Sequence, residues 1–371
     1  MELAVKPSVA KNIIFRATEV NRPIFVWGPP GIGKSDLVED IAYNQLPGNN
    51  LLIDLRLALM EPTDLRGYPF RNPETNTMEW APPTDLPSAE LAAQYDFVVL
   101  FLDELNSAPP SVQAAAYQLI LNRRIGQYVL PENVRIVAAG NRENDRGVTF
   151  RMPAPLANRF RHINMEVNFD DWQRWAINNN VHPDVIGYLS YAKGDLFDFD
   201  PKSSSQAFAT PRSWTYVSEI LNNDGFHNVS AFEQKAEFAG AVGEGMAGKF
   251  AEHRRLAGKM PRPEDILAGN VTKIDDSMRS EIAALYSLTV GLAYEMNETY
   301  QSSQKGGAPG DFKSQLNHAA RFGINNFQPE MVILFFKTIL ADYKIRFNIR
   351  TDLDKDISKL FNERYMEYLL D

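Results

Sequence analysis

The apolar and polar positions of this chain change their rhythm part-way along. Over roughly the first 165 residues, short β-rich runs alternate with helical patterns, the signature of a parallel α/β sheet. Ser8 is placed to cap a helix through Val20, with Val9, Ile13, Ile14 and Ala17 as its apolar stripe. Ile24–Trp27 predicts a buried strand, and a glycine-rich turn follows it at once. The next helix carries Leu37, Val38, Ile41 and Ala42 on one side and stops near Pro47-Gly48. Leu51–Leu55 reads as a strand, and Phe97–Leu102 as a central strand covered on both faces. Pro109-Pro110 opens a helix through Leu121, proline being tolerated in a first turn. Arg135–Ala139 and Arg161–Val167 complete the strands.

Beyond Asp170 the pattern is helical. Asp170 is placed to cap a helix bearing Trp172, Trp175 and Ala176. Lys193–Ala209, rich in Asp, Ser and Gly, predicts a long loop, Thr210-Pro211 starts another helix, and Gln304–Asp311 predicts a second flexible loop. Met331–Leu340 is the strongest apolar run; it is too short to span a bilayer, contains Lys337, and reads as a buried helix face. The expected order is an α/β domain over 1–167, a helical domain over 168–231 and a helical C-terminal extension over 232–371.

The chemistry concentrates in the first part. Gly28-Pro29-Pro30-Gly31-Ile32-Gly33-Lys34-Ser35, continuing into Asp36, fits GxxxxGK[ST] and sits between a predicted strand and a predicted helix, the context that pattern requires. Glycines let the backbone curl so that its N–H groups point at phosphate oxygens, and the helix N-terminus adds favourable partial charge. Lys34 is expected to reach the β- and γ-phosphates of a nucleotide, and the Ser35 hydroxyl to ligate Mg²⁺.

A second element supports the first. Phe97–Leu102 ends in Asp103-Glu104, an apolar strand closing on two carboxylates, expected on the strand neighbouring the glycine-rich loop. Asp103 would hold Mg²⁺, largely through water, and Glu104 would polarise an attacking water. Ligands of parallel sheets sit at the carboxyl ends of the strands, which is where both motifs fall. Asn141, just after strand Arg135–Ala139, is a candidate to bond the water or the γ-phosphate; Arg159 and Arg212 are candidates to neutralise transition-state charge. No Asn-Lys-x-Asp motif is present, so ATP is favoured over GTP.

Composition narrows the classes. Of 371 residues, 44% are hydrophobic and 23% charged, as in an ordinary soluble protein long enough for two or three cores. A net charge of −9 repels phosphate backbones and disfavours nucleic-acid partners, although Arg66, Arg71, Arg123 and Arg124 could line a local basic surface. The absence of cysteine excludes disulfides, thiolate zinc sites and thiol nucleophiles, and fits a cytoplasmic protein; Met1–Ala10 lacks a signal-peptide core. His162, His182, His227, His253 and His318 are scattered without metal-ligand spacing and read as structural. No Gly-x-Ser-x-Gly elbow occurs.

The stretch Asp103-Glu-Leu-Asn-Ser-Ala-Pro-Pro-Ser-Val-Gln113 resembles the MoxR-like branch of AAA+ ATPases, a dynein-related AAA subgroup. Glu61-Pro-Thr-Asp-Leu-Arg-Gly-Tyr68 is similar to the segment before that family's helix-2 insert. Phe70–Trp80, turning at Asn72–Asn76, would then be the hairpin of an insert near 61–83. Gly147–Phe160 is similar to the family's stretch ending in Leu-Asp-Arg-Phe, with Asn158 in place of the usual Asp. The resemblance covers about the first 165 residues together with Thr210-Pro211-Arg212. It implies a P-loop NTPase fold of the AAA+ type with a helical lid. Asn141 would be sensor 1, Arg212 sensor 2 in the lid, and Arg159 an arginine finger acting on a neighbouring subunit's ATP. Arg161 could compete for the last role, and Arg123-Arg124 would offer further basic groups near the subunit interface. The resemblance also implies a homo-oligomeric ring, usually a hexamer, that remodels a protein client, often beside a partner with a von Willebrand A domain. A nucleic-acid motor and an ATP-dependent scaffold are the competing functions.

Overall fold

The alternating apolar runs become one parallel sheet. The computed structural model describes residues 3–145, 150–203, 205–304 and 309–365. Its strands are β1 (Ala4–Val5), β2 (Ile24–Trp27), β3 (Asn50–Arg56), β4 (Tyr68–Arg71), β5 (Met78–Ala81), β6 (Phe97–Asp103), β7 (Arg124–Ile125), β8 (Tyr128–Val129), β9 (Val134–Gly140) and β10 (Arg161–Met165). Six of them pair in the order β1-β10-β2-β9-β6-β3, every pair parallel. Contrary to the expectation from sequence, the strand bearing the acidic pair is not the neighbour of the strand feeding the glycine-rich loop; β9 is inserted between them. The insertion puts the end of β9 against both motifs.

The core follows from covering this sheet on both faces. Val98–Leu102 of β6 are all buried, each such side chain contributing about 2 kcal/mol on leaving water. Helices α1 (Pro7–Glu19), α2 (Lys34–Asp40), α3 (Pro62–Arg66), α4 (Ala89–Ala92), α5 (Pro110–Asn122) and α6 (Ala154–Ala157) accompany the strands. α1 begins one residue before Ser8, with Lys6 at the cap position and Pro7 in the first turn; proline's fixed φ starts the helix earlier than a serine cap would. Its buried stripe is Ala10, Ile14, Ala17 and Thr18, and Val9 faces solvent. β4 and β5 form an antiparallel hairpin with Phe70 opposite Glu79. Its Tyr68, Phe70 and Met78 are exposed.

The chain divides into two compact units, residues 1–171 with 200–203, and 172–199 with 204–371. The second unit is helical: α7 (Phe169–Asn178), whose first turn lies in the other unit, then α8 (Pro183–Tyr191), α9 (Pro211–Leu221), α10 (Ala231–Val242), α11 (Glu244–Ala257), α12 (Pro263–Leu267), α13 (Ile282–Gln304), α14 (Pro309–Asn326), α15 (Pro329–Lys337) and α16 (Lys355–Arg364). Asn168, not Asp170, accepts the free N–H of the first turn of α7, from Asp171 at 3.0 Å. Trp172 and Ala176 are buried there, while Trp175 is exposed. Among the described residues, the segment after Tyr191 is irregular up to Thr210 except for a 3₁₀ turn at Lys193–Leu196, and Thr210 caps α9 in a capping box with Ser213. Gln304 ends α13 and Pro309 opens α14, so residues 304 and 309–311 of the expected loop are helical; residues 305–308 lie outside the described residues. Met331, Val332, Phe335 and Phe336 of α15 are buried, as their spacing predicts. No helix among the described residues is long and apolar enough to cross a membrane.

Candidate nucleotide site

The site assembles at the carboxyl ends of β2, β9 and β6. β2 ends at Trp27, and Gly28 N–H donates back to Gly140 O of β9 at 3.3 Å, fixing the loop's take-off. The chain then turns through Gly31 (φ +74°) and Gly33 (φ +86°) before α2 begins at Lys34. Gly33 occupies the cap position in the left-handed region that a side chain resists, which is why glycine is needed there. The orphan N–H groups of the first turn of α2 and the loop backbone make a cradle for anionic oxygens.

Lys34 extends back over the loop. Its Nζ donates to Gly28 O at 2.7 Å, Pro29 O at 2.9 Å and Asn141 Oδ1 at 3.1 Å. The ammonium thus ties the cradle to the residue just past β9. Ser35 Oγ donates to Asp103 Oδ2 at 3.2 Å, linking α2 to the end of β6. A hydroxyl and a carboxylate brought together, both half-buried and both oxygen donors, suit Mg²⁺, which prefers one or two protein oxygens and keeps much of its water. Glu104 follows with φ +55°, rare for a non-glycine residue. Its backbone N–H donates to Asp103 Oδ1 at 2.8 Å and its carbonyl accepts from Ser107 and Ala108. The conformation turns the chain off the end of β6.

One positioning residue was not singled out from the sequence. Asn106, buried, donates from Nδ2 to Asn141 O at 2.7 Å, and its own carbonyl accepts from Phe150 N–H. A Cβ on Gly140 would come within 2.0 Å of Asn106 Oδ1, so the glycine makes room for this contact. Asn106 stands in the Asp-Glu-Leu-Asn stretch, and that was the signal available.

The arginines separate. Arg159 is exposed between buried Leu156 and Phe160, which anchor its short segment. Arg161 opposite Ile24 opens β10, so Arg159 stands at the amino-terminal edge of the sheet. The glycine-rich loop leaves the other edge, across the length of β2, about 13 Å for four residues. Arg161 is exposed as well. The expected segment 147–160 is described only from residue 150 onward. Arg212, exposed, lies in the first turn of α9 in the helical unit.

Arg123 does not join a basic surface. Its guanidinium donates to Asn21 Oδ1, Pro131 O and Val134 O, and burial lowers its pKa. It is an internal tie across the end of α5, and Arg124 alone of the pair is exposed. The histidines whose side chains are described make structural bonds: His182 accepts from Asp184 N, His318 bonds Leu267 O, and His253 bonds Ser287. His162 bonds Trp27 and the Ala157 carbonyl. The side chain of His227 lies outside the described residues.

Residues 23–160 match the AAA domain of the dynein-related subfamily. Over those residues the chain carries a domain similar to AAA domains. Midasin from Giardia intestinalis is 30% identical over 199 residues, 51% of this chain; the chain spans 4% of that protein's length. Two solved structures overlay loosely. A putative ATPase from Cytophaga hutchinsonii (TM-score 0.33, 14% identity) covers 91% of this chain and 81% of its own. NtrX from Brucella abortus in complex with ATP (TM-score 0.34, 14% identity) covers 70% of this chain and 65% of its own. The AAA match includes the glycine-rich loop, Asp103-Glu104, Asn141 and Arg159, while the chain after Phe160 lies beyond it.

Proposed function

We propose that this chain is a Mg²⁺-dependent, ATP-hydrolysing ring motor of the MoxR type that remodels or activates a partner protein. In this reading Gly28–Asp36 hold the nucleotide, with Lys34 on its β- and γ-phosphates. Ser35 and Asp103 hold Mg²⁺, which when bound offsets phosphate charge. Glu104 orients the attacking water and accepts its proton, and Asn141 fixes that water or the γ-phosphate. Arg159 of one subunit faces the ATP of the next, and Arg212 acts from the helical lid, taken as 168–231.

The observation that carries the reading is the bond set at the strand ends. Lys34 to Asn141 and Ser35 to Asp103 join three strands around one cradle. Arg159 at the opposite sheet edge favours a shared site, since its side chain is shorter than the distance back to its own loop. A scaffold that only binds ATP has no need of Glu104. The net charge of −9 favours a protein client over nucleic acid, and a von Willebrand A domain protein is the kind of partner the family pattern suggests.

The test is ATP turnover against protein concentration, with sedimentation on the same samples and Arg159→Ala alongside. Specific activity should rise with assembly and fall about 10³-fold in the variant, with nucleotide affinity retained. Concentration-independent turnover by a monomer would overturn the ring reading. Salt-sensitive stimulation by DNA or RNA would favour the nucleic-acid motor instead.

A further inference from the structure

His162 sits between the two edges that a shared site has to coordinate. On β10 it pairs with Phe25 of β2, and its ring lies on the same sheet face as Phe25 and Trp27. The Trp27 indole N–H donates to His162 Nδ1 at 2.9 Å. Because an indole can only donate, Nδ1 is the bare nitrogen, and Nε2–H donates to Ala157 O at 2.8 Å. Ala157 is the last residue of α6, two before Arg159, and Trp27 is the residue before Gly28. Around this bridge the aromatic rings form a ladder. Phe25 and Trp27 stack at 4.1 Å, Phe25 meets Phe160 edge-on at 5.5 Å, and His162 lies 6.0 Å from both Phe25 and Trp27. His162 is exposed, so filling a core does not account for it.

The geometry points to His162 as a positioning residue that links the strand feeding the glycine-rich loop to the segment presenting Arg159. This inference rests on the proposal that Arg159 is the finger. The ring touches no reacting group. It sets where the carboxyl end of α6 stands, and with it the exit of Asn158-Arg159, relative to Trp27-Gly28. The Ala157 carbonyl already accepts from Phe160 N–H at 3.1 Å, and the Nε2–H bond adds a second contact that ties it to β10. A bond that holds the finger element affects turnover and leaves ATP binding alone, because the cradle stands at the other edge.

The two ring nitrogens can be removed separately. In His162→Gln the longer amide keeps a donor for Ala157 O and gives up the Trp27 contact; in His162→Asn the shorter amide keeps an acceptor near Trp27 and cannot reach Ala157. The measurements are kcat, KM for ATP and sedimentation for His162→Ala, His162→Gln, His162→Asn and Arg159→Ala. We expect His162→Ala and His162→Asn to lose about ten- to a hundredfold in kcat, with KM and assembly unchanged, a size typical of misplacing a catalytic group by about an ångström. His162→Gln should recover most of the loss. Equal kcat in all three His162 variants, whether all low or all normal, would overturn the inference while Arg159→Ala still reports on the finger. A rise in KM in step with the kcat loss would mean that His162 merely shapes the loop, and would also overturn it. If Arg159→Ala turns over normally, the finger reading fails and His162 has nothing to position.

Discussion

Glu104 shows how a single residue can carry a cost for its position. Its φ of +55° lies where a side chain crowds the following carbonyl, at about 1 kcal/mol. Three local bonds hold it there: its N–H to Asp103 Oδ1, and its carbonyl to the N–H groups of Ser107 and Ala108. Strain kept in place by the surrounding bonds is a mark of a functional position. Two substitutions separate the strain from the chemistry. Glu104→Gly relieves the crowding, so its thermal midpoint should be no lower than that of the unsubstituted protein. Glu104→Gln keeps the shape and should melt at the same temperature. Both should bind ATP and lose turnover by about 10²-fold or more, the contribution of a positioned general base. Retained turnover in Glu104→Gln would remove Glu104 from the mechanism; a lower midpoint for Glu104→Gly would mean the backbone there is not strained. The sequence singled out Lys34, Ser35, Asp103 and Glu104 by their spacing and Asn141 by its place at a strand end, and the structure joins Lys34 to Asn141 and Ser35 to Asp103. It could not reveal the φ of Glu104 or the hidden contact of Asn106 with Asn141, since both depend on what the loop after β6 packs against.

At the scale of elements, β1, β7 and β8, of two residues each, carried too short a pattern to be read, while β2, β3, β6, β9 and β10 were legible to within two residues because an apolar run in a covered sheet admits little else. Their neighbours were not legible. Nothing in the local pattern says that β9 enters between β2 and β6, an order set by how the crossover helices fit the faces. Helix starts failed where two candidates stood close together. Pro7 began α1 ahead of Ser8, and Asn168 took the capping bond that Asp170 could have made. In the helical unit the sequence also hid a buried titratable group. His253 of α11 is buried against Tyr188, bonds Ser287 Oγ at 2.7 Å, and leaves Nδ1 without a partner. Burial depresses its pKa to about 4, with Asp184 opposing and Arg254 adding to the shift. Between that value and the ordinary 6.5 the unfolded chain binds the proton and the folded chain does not, so stability falls as pH drops through this window. The loss approaches about 3 kcal/mol near pH 4. The thermal midpoint should therefore decline between pH 7 and pH 5, and the decline should be shallower in His253→Gln. An equal slope in the two proteins would show that other groups govern acid lability.

For the whole molecule, the question is whether one chain completes its own site. The cradle, Ser35, Asp103 and Asn141 belong to one edge of the sheet, and Arg159 to the other. A head-to-tail assembly of identical chains, in which one surface meets a different surface of the next, would bring the two edges together at every interface. Two defective proteins can then complement each other. Lys34→Ala should fail to bind nucleotide but still offer an intact Arg159; Arg159→Ala should bind ATP but offer no finger. Each alone should be nearly inactive. Mixed in equal amounts under assembling conditions, roughly a quarter of the interfaces would pair an intact cradle with an intact finger, and turnover should recover towards that fraction. Mixing Lys34→Ala with Glu104→Gln is the control: both defects lie in the cradle half, so no interface is whole and activity should stay absent. Recovery in the first mixture and none in the second requires the finger to act between chains. If neither mixture recovers although sedimentation shows mixed assemblies, Arg159 serves its own chain or none. The same experiment run with Arg161→Ala then decides whether the arginine two residues further on, at the start of β10, is the one that crosses the interface.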